Sequence, residues 1–390
     1  MGCNNVRIGD VASFRKVSVR PNAGTIYYCY SLPAFDNARK PEILDGSEIL
    51  SNKLHVEDGD ILVNKLNMRF KRIWPINNPH DNSVCSTEFV PLCPNDKINR
   101  DYLLYTLMSD DFTSTLSRMR TGTSGSHQRV KPEWILDYQF PLPSIEDQRK
   151  IGRCLSTLDQ KIAINTRLNG YLEELFDSCF KQSLNMVDET WDTASLLDIA
   201  DYKNGLAMQK FRPNIGDKGL PVLKIRELGQ ESCGKDAERC RSDIDESVTV
   251  HDGDLVFSWS GTLLLRFWAG GDAGLNQHLF KVTSEVYPSW FYYAWTKHHL
   301  ARFTMLAKDR ATTMGHIKRS ALEESEVLLP PKEKLTMQTK CMQPIIDQVI
   351  ANKIEVRKLA ALRDALLPKL MSGEIDVSKI DLTQLNSHLT

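Results

Sequence analysis

The chain has 390 residues, with 49 Lys and Arg against 50 Asp and Glu and a formal net charge of −1. At roughly 150 residues per domain this length predicts two or three domains. A hydrophobic fraction of 41% and a charged fraction of 25% exclude wholesale disorder. Near-neutrality gives no global sign of a nucleic-acid or acidic partner, so any such partner must be argued from local charge. The nine cysteines include no C-x-x-C pair, which suits neither a disulfide framework nor a zinc knuckle and predicts reduced thiols in a cytoplasmic protein. No apolar run approaches the roughly 18 residues of a membrane helix, and no secretory leader pattern is visible. Met1-Gly2-Cys3 is similar to a lipidation start, but Val6 stands where that motif needs Ser or Thr.

In chain order, Asp10-Val11-Ala12 comes first. Asp58-Gly59-Asp60 then predicts a tight turn feeding a strand at Ile61-Leu62-Val63. A basic and aromatic cluster follows: Lys65, Arg69, Lys71, Arg72 and Trp74. Tyr102-Leu103-Leu104-Tyr105 predicts a short helix whose aromatics pack in the core. Between Phe112 and Pro132 stand four basic residues and no acidic one: Arg118, Arg120, Arg129 and Lys131. They flank a small-residue loop containing Ser124, Ser126, His127 and Gln128. The run Phe140-Pro141-Leu142-Pro143 stops any helix and sets an extended stretch. A long helix closes the unit.

The same order then recurs. Asp198-Ile199-Ala200 repeats the opening at an offset of 188, and Asp252-Gly253-Asp254 repeats the turn at 194, before a strand at Leu255-Val256-Phe257. Trp259, Arg266 and Trp268 follow it. Trp290-Phe291-Tyr292-Tyr293 matches the Tyr102 segment at 188 and predicts a second short helix. Lys297 to Arg319 holds six basic residues and one acidic, including Lys308, Arg310 and Lys318 around Thr312, Thr313 and His316. Val130-Lys131 and Leu142-Pro143 match Ile317-Lys318 and Leu329-Pro330 at 187. Matches in one order at nearly constant offset predict a tandem duplication of an α+β unit of about 190 residues, far longer than a solenoid repeat.

Both closing helices carry a heptad seam. In the first it runs through Ile151, Leu155, Leu158, Ile162, Asn165, Asn169, Leu172, Phe176 and Cys179. In the second it runs through Met342, Ile345, Val349, Asn352, Val356, Leu359, Arg363, Leu366 and Leu370. About 38 residues at about 1.5 Å each reach about 55 Å. The two helices either pair as a spacer, with the asparagines fixing register, or dock a partner protein separately; both can hold. Pro344 should kink the second helix or mark its start.

Catalytic signatures are missing. Gly229 to Asp236 is similar to a phosphate loop but ends in Asp236, which supplies no hydroxyl for Mg²⁺ and puts a carboxylate near phosphate; a surface loop is the better expectation. Asn77-Asn78-Pro79-His80 lacks the second proline and the aromatic of amino-methylating enzymes. His298 and His299 are adjacent, so on a helix they should point apart as a surface pair. The Asp-Gly-Asp carboxylates read as turn caps rather than metal ligands. The basic helix ends followed by Ser, Thr, Gln and His loops suit DNA, with cations on phosphates and short polar groups on base edges.

Several stretches resemble one family. Phe140-Pro-Leu-Pro-Ser-Ile-Glu-Asp-Gln-Arg-Lys-Ile151 leading to Leu158-Asp-Gln-Lys-Ile-Ala-Ile-Asn165 is similar to the central conserved region of the specificity subunits of type I restriction-modification enzymes. Leu362-Arg-Asp-Ala-Leu-Leu-Pro-Lys-Leu-Met-Ser-Gly-Glu374 resembles their C-terminal conserved helix. Asp252 to Gly261, with Leu275-Asn276-Gln277-His278-Leu-Phe-Lys281, resembles a common target recognition domain. The first domain departs most, at Val63-Asn-Lys-Leu-Asn67.

The resemblance implies two tandem α/β target recognition domains, at 1–144 and 186–331. Each is followed by a long helix, at 145–185 and 332–375, before a tail at 376–390. The helices would pair as an antiparallel coiled coil through Leu158, Ile162, Asn165, Leu172, Val349, Asn352, Leu359 and Leu366, giving a pseudo-two-fold repeat. Each domain would read one half of a split double-stranded DNA target, adding Ser260, Asn276, Gln277 and His278 to the contact residues above. The chain would hold no catalytic residue, metal or cofactor. Two methylation subunits would bind S-adenosylmethionine, and restriction subunits would use ATP and Mg²⁺. The competing expectations are a self-contained nuclease or methyltransferase, and a duplicated protein-interaction scaffold that never touches DNA.

Overall fold

The computed structural model describes residues 4–37, 39–119, 129–309 and 317–377. The chain forms two compact units: Met1–Gln160 together with Ala360–Thr390, and Lys161–Leu359. Each is α+β and each contains the same antiparallel sheet. In the first unit the strand order is Ala12–Phe14, Phe89–Pro94, Ile61–Asn64, Ile73–Pro75; in the second it is Asp201–Asn204, Leu279–Thr283, Leu255–Ser258, Leu265–Phe267. A second sheet sits within each unit, five-stranded in the first and four-stranded in the second, and each contains one parallel pairing. A two-stranded ribbon joins Asn4–Arg7 to Gln139–Leu142, and its counterpart joins Asp192–Ser195 to Glu326–Leu329.

The central strands are buried along their whole length, Ile61–Asn64 and Leu255–Ser258 alike, and each reads as an apolar run closed by one polar residue. The Asp-Gly-Asp turn feeds each one. Its glycine takes a left-handed conformation, φ +89° at Gly59 and +96° at Gly253, which a side chain would strain. The two aspartates divide the work identically in both units. The first closes the hairpin from outside: Asp58 accepts from the Asn78 N–H at 2.7 Å and Asp252 from the Gly271 N–H at 2.8 Å. The second caps its own turn, Asp60 accepting from the Glu57 N–H and Asp254 from the His251 N–H. It also meets a cation at 2.9 Å, Arg15 for Asp60 and Lys281 for Asp254. These carboxylates are fully employed in holding the turn.

Helices cover one sheet face. Tyr102 is buried and donates from its hydroxyl to the Pro141 carbonyl at 2.8 Å; Trp290 is buried and donates to Thr339 Oγ1 at 3.0 Å. The two segments differ in length, contrary to the expected pair of short helices. In the first unit the helix Arg100–Met108 stops because Ser109 turns extended and caps Asp110–Arg118 through the Phe112 N–H. The matching position in the second unit is Lys297, which cannot cap, and one helix runs over Ser289–Asp309.

The two long helices, Ile145–Leu184 and Lys332–Met371, each contribute to both units. The second begins well before Pro344 and runs unbroken through it and through Pro368, so Pro344 is neither its start nor a break. In the first unit Ile151, Cys154 and Leu155 share a core with Leu370 and Val377, with Leu366 packed against it, and Leu158 is also buried. Arg363 there donates to Asp159 at 2.6 Å, and Asp159 accepts from the Tyr105 hydroxyl at 2.7 Å.

In the second unit the seam positions Asn165, Asn169, Phe176, Val349 and Asn352 are buried, while Ile162, Leu172 and Leu359 are half-buried. Asn352 donates to Asn169 at 2.8 Å, Asn169 donates to the Val349 carbonyl at 3.3 Å, and Asn165 donates to Glu355 at 2.6 Å. Rising numbers in one helix meet falling numbers in the other, so within this unit the segments run antiparallel. The asparagines are partnered, not solvated.

Asn352→Leu should destabilise the chain by about 1–3 kcal/mol, because it leaves the buried Asn169 carbonyl oxygen without its donor. The Asn169→Leu/Asn352→Leu pair should recover most of that loss in urea unfolding. A second expectation concerns pH. His251 lies between Asp272 and Glu246, each at 2.8 Å, and these carboxylates raise its pKa above the usual 6.5. A raised folded-state pKa stabilises fully below 6.5 and the gain is lost as pH rises through the raised value. His251→Gln should therefore remove a fall in melting temperature on the alkaline side of 6.5 while leaving the acid limb unchanged.

Candidate nucleic-acid interface

The residue that follows each buried strand is held by its backbone from two sides. In the first unit the Lys65 N–H donates to the Glu88 carbonyl at 2.9 Å, and the Lys65 carbonyl accepts from the Val130 N–H at 2.9 Å. In the second unit the Trp259 N–H donates to the His278 carbonyl at 3.4 Å, and the Trp259 carbonyl accepts from the Ile317 N–H at 3.0 Å. Three segments distant in sequence meet at the same place twice: the strand exit, the residue before the last sheet strand, and the entry to a short helix. Those helices are Pro132–Asp137 and Arg319–Glu323, with Lys131 and Lys318 at their N-caps.

A buried polar side chain at the strand end holds each exit loop. Asn64 donates to the Leu66 carbonyl at 2.8 Å and accepts from the Arg72 N–H at 3.2 Å. Ser258 donates to the Thr262 carbonyl at 2.8 Å. Neither was singled out by sequence as a site residue. The signal available was the polar residue closing an otherwise apolar strand at equivalent places in both repeats.

The expected contact residues separate into groups. In the first unit Lys65, Arg129 and Lys131 come together, with Lys65 half-buried and the other two exposed. Arg129 is bidentate on Glu88 at 3.2 and 2.8 Å. Arg72 is bidentate on Asp36 at 2.8 and 2.7 Å, and Lys71 pairs with Asp110, so both are neutralised locally. Arg69 and Arg118 are exposed, Arg69 lying over the Phe70 ring at 4.8 Å.

In the second unit Trp259, Ser260, Asn276, Gln277 and His278 form one cluster. Ser260 Oγ lies 3.1 Å from His278 Nδ1, and the Gln277 amide lies 3.3 Å from His278 Nε2. Trp259 donates to Asn204 at 3.1 Å. Ser260 and Asn276 are buried and brace this cluster from within. Arg266 is exposed but stands apart, 3.5 Å from Glu231 and lining a small cavity with Glu173 and Lys353. Lys308 and Lys318 are exposed. Arg120, Ser124, Ser126, His127, Gln128, Arg310, Thr312, Thr313 and His316 lie outside the described residues.

The remaining chemical candidates resolve into structure. Gly229 lies inside the helix Ile225–Gln230, which ends at a left-handed Glu231, and Arg226 pairs with Asp236, so the Gly229 to Asp236 stretch leaves a helix at its C-terminus, where a phosphate loop needs an N-terminus. His298 and His299 do not point apart. Their rings meet edge to face at 5.1 Å, and His299 Nε2 lies 2.8 Å from the Glu326 carbonyl. Burial lowers the His299 pKa, which favours its neutral form. Among the described residues no three His, Cys, Asp or Glu side chains converge as metal ligands, and no helix is long and apolar enough to cross a membrane. The described cysteines, from Cys29 to Cys341, are free thiols.

Comparison with known proteins decides the family. Residues 2–174 and again 188–363 match the type I restriction modification DNA specificity domain. The chain belongs to this family. Two copies of the domain agree with the duplicated frame. Among curated relatives, the chain is 21% identical over 323 residues to the type I restriction enzyme MjaIX specificity subunit of Methanocaldococcus jannaschii, covering 75% of this chain and 73% of that protein. It is also 21% identical over 403 residues to the HindI specificity subunit of Haemophilus influenzae, covering 83% and 88%. The fold matches the crystal structure of the type I restriction-modification S subunit from M. genitalium, with a TM-score of 0.61 at 14% identity over 95% of this chain and 96% of that one.

Within this specificity-domain frame, Asn64→Ala should loosen only the first unit's exit loop. Hydrogen exchange at residues 65–72 should accelerate by about fivefold, the worth of one net hydrogen bond of about 1 kcal/mol, with the 259–264 amides unchanged.

Proposed function

We propose that this chain is the DNA-specificity subunit of a type I restriction-modification system, reading a split target with one recognition surface per unit. The observation that carries the proposal is the backbone frame built twice with different side chains: Lys65, Glu88, Arg129 and Lys131 in one copy, Trp259, Ser260, Gln277, His278 and Lys318 in the other. A common frame with unlike side chains suits two unlike half-sites. The basic residues serve phosphates and position the frame, and the polar groups on it serve base edges.

The long helices serve as the spacer that sets the unread gap, as half-site spacing is set geometrically in two-headed DNA binders. Ile164, Leu168, Tyr171 and Leu175 form an exposed apolar stripe at helical spacing on the first of them. This stripe supports docking of other subunits of the system, two methylation subunits among them. Those partners would supply S-adenosylmethionine chemistry on a flipped adenine, and restriction subunits would use ATP and Mg²⁺, so this chain contributes recognition and no catalytic group.

Binding to duplex DNA, followed by fluorescence anisotropy with the methylation subunit present, should weaken steeply between 50 and 200 mM salt, as phosphate contacts release counterions. Affinity that stays flat with salt would sink the proposal. Lys131→Ala and Lys318→Ala should each weaken binding and lower the slope of log affinity against log salt by about one. Loss of DNA binding with intact subunit assembly would instead favour a pure scaffold.

A further inference from the structure

Glu88 is an acidic side chain in a basic cluster. As a phosphate-binding element it is unfavourable, since its carboxylate repels the backbone it would face. As a structural clamp it is weak: its bond to Arg129 is between groups 25% and 53% exposed, where solvent screens most of the attraction. A third role fits its position. Its carbonyl accepts from the Lys65 N–H, so the side chain leaves the sheet from a point tied to the strand exit. The residue at the same place in the other unit is His278, fixed by the Trp259 N–H. Here the position carries not a carboxylate but an imidazole, set between Ser260 Oγ at 3.1 Å and the Gln277 amide at 3.3 Å.

We infer that the residue immediately before the last strand of the central sheet, Glu88 in one unit and His278 in the other, is a specificity-determining position of each recognition surface. The inference rests on the DNA-reading function proposed above and names where that reading is decided. Glu88 is acceptor-only, so it favours a base pair that presents an amino donor in the major groove, cytosine N4 or adenine N6, and disfavours the acceptor edges of guanine and thymine. His278 has one ring nitrogen on each neighbour and so orients the Ser260 hydroxyl and the Gln277 amide, which present a different donor and acceptor pattern. The same backbone position thereby asks two different questions of two half-sites.

The test is selection of bound duplexes from a randomised library by the full chain with its methylation subunit, for the wild type, Glu88→Gln and His278→Gln. Glu88→Gln should relax preference at one base pair of one half-site by about tenfold, within the range of a single base contact, and leave the other half-site unchanged. His278→Gln should do the reverse. The unchanged half in each variant reports that the chain is folded. Wild-type preferences kept in both halves by both variants would overturn the inference, and so would a uniform rise in affinity for Glu88→Gln, which is the effect of charge alone. Preference lost in both halves together would also overturn it. A wild-type complex that binds DNA with no preference at all would bring down the underlying function instead.

Discussion

The structure depends on one extended residue per unit that gives both its backbone groups to other segments. Lys65 and Trp259 each donate forward to the residue before the last strand and accept from the residue just before the N-cap of a short helix. Buried backbone groups must be paired, so these bonds tie three segments together at fixed positions whatever the side chains are. The side chains are then released from structural duty. That is why Lys65 and Trp259, side chains of opposite character, can occupy one geometry, while the buried Asn64 and Ser258 before them each hold their own exit loop.

The recognition frame and the long helices are joined inside each unit by unlike chemistry. In the first, Tyr105 and Arg363 share the Asp159 carboxylate. In the second, Arg357 is bidentate on Asp252, the outer aspartate of the Asp-Gly-Asp turn, at 2.8 and 2.7 Å, and Gln343 receives the Trp290 N–H. The turn that feeds the central strand is therefore also a contact point for the second long helix. Displacement of that helix in the second unit would be felt at the base of the strand that ends in Trp259. Asp58, its counterpart, takes the Asn78 N–H, and the arginine contact seen at Asp252 is a feature of the second copy among the described residues.

Much of this architecture is legible in the sequence. Asp-Gly-Asp ahead of an apolar run specified turn and strand, because glycine at positive φ and flanking carboxylates leave few alternatives. The seams stood out because heptad spacing over about four heptads is a long-range pattern. Lengths were less legible where one side chain decides them. Ser109 ends a helix that Lys297 lets continue, a difference of one capping hydroxyl within a match made on aromatics. Pro344 does not mark the helix start, since a single missing N–H is outweighed by the buried residues on either side, Met342, Ile346 and Val349. In the candidate site the basic residues were visible but their neutralisation was not. Asp36 and Asp110 reach Arg72 and Lys71 from 36 and 39 residues away, and nothing local in sequence marks such pairs.

The first unit is assembled from the two ends of the chain, whereas the second is one continuous stretch. Leu370 and Val377 are buried in the same core as Ile151 and Leu155. On a ribosome adding about 5–20 residues per second, the roughly 200 residues in between take about 10–40 s to emerge. Throughout that interval the newborn first unit carries an uncovered apolar face, and the second unit completes its own core before the first can. Order of birth and order of maturation are thus inverted in this protein, and a message truncated shortly before its end would cost the unit that was made first.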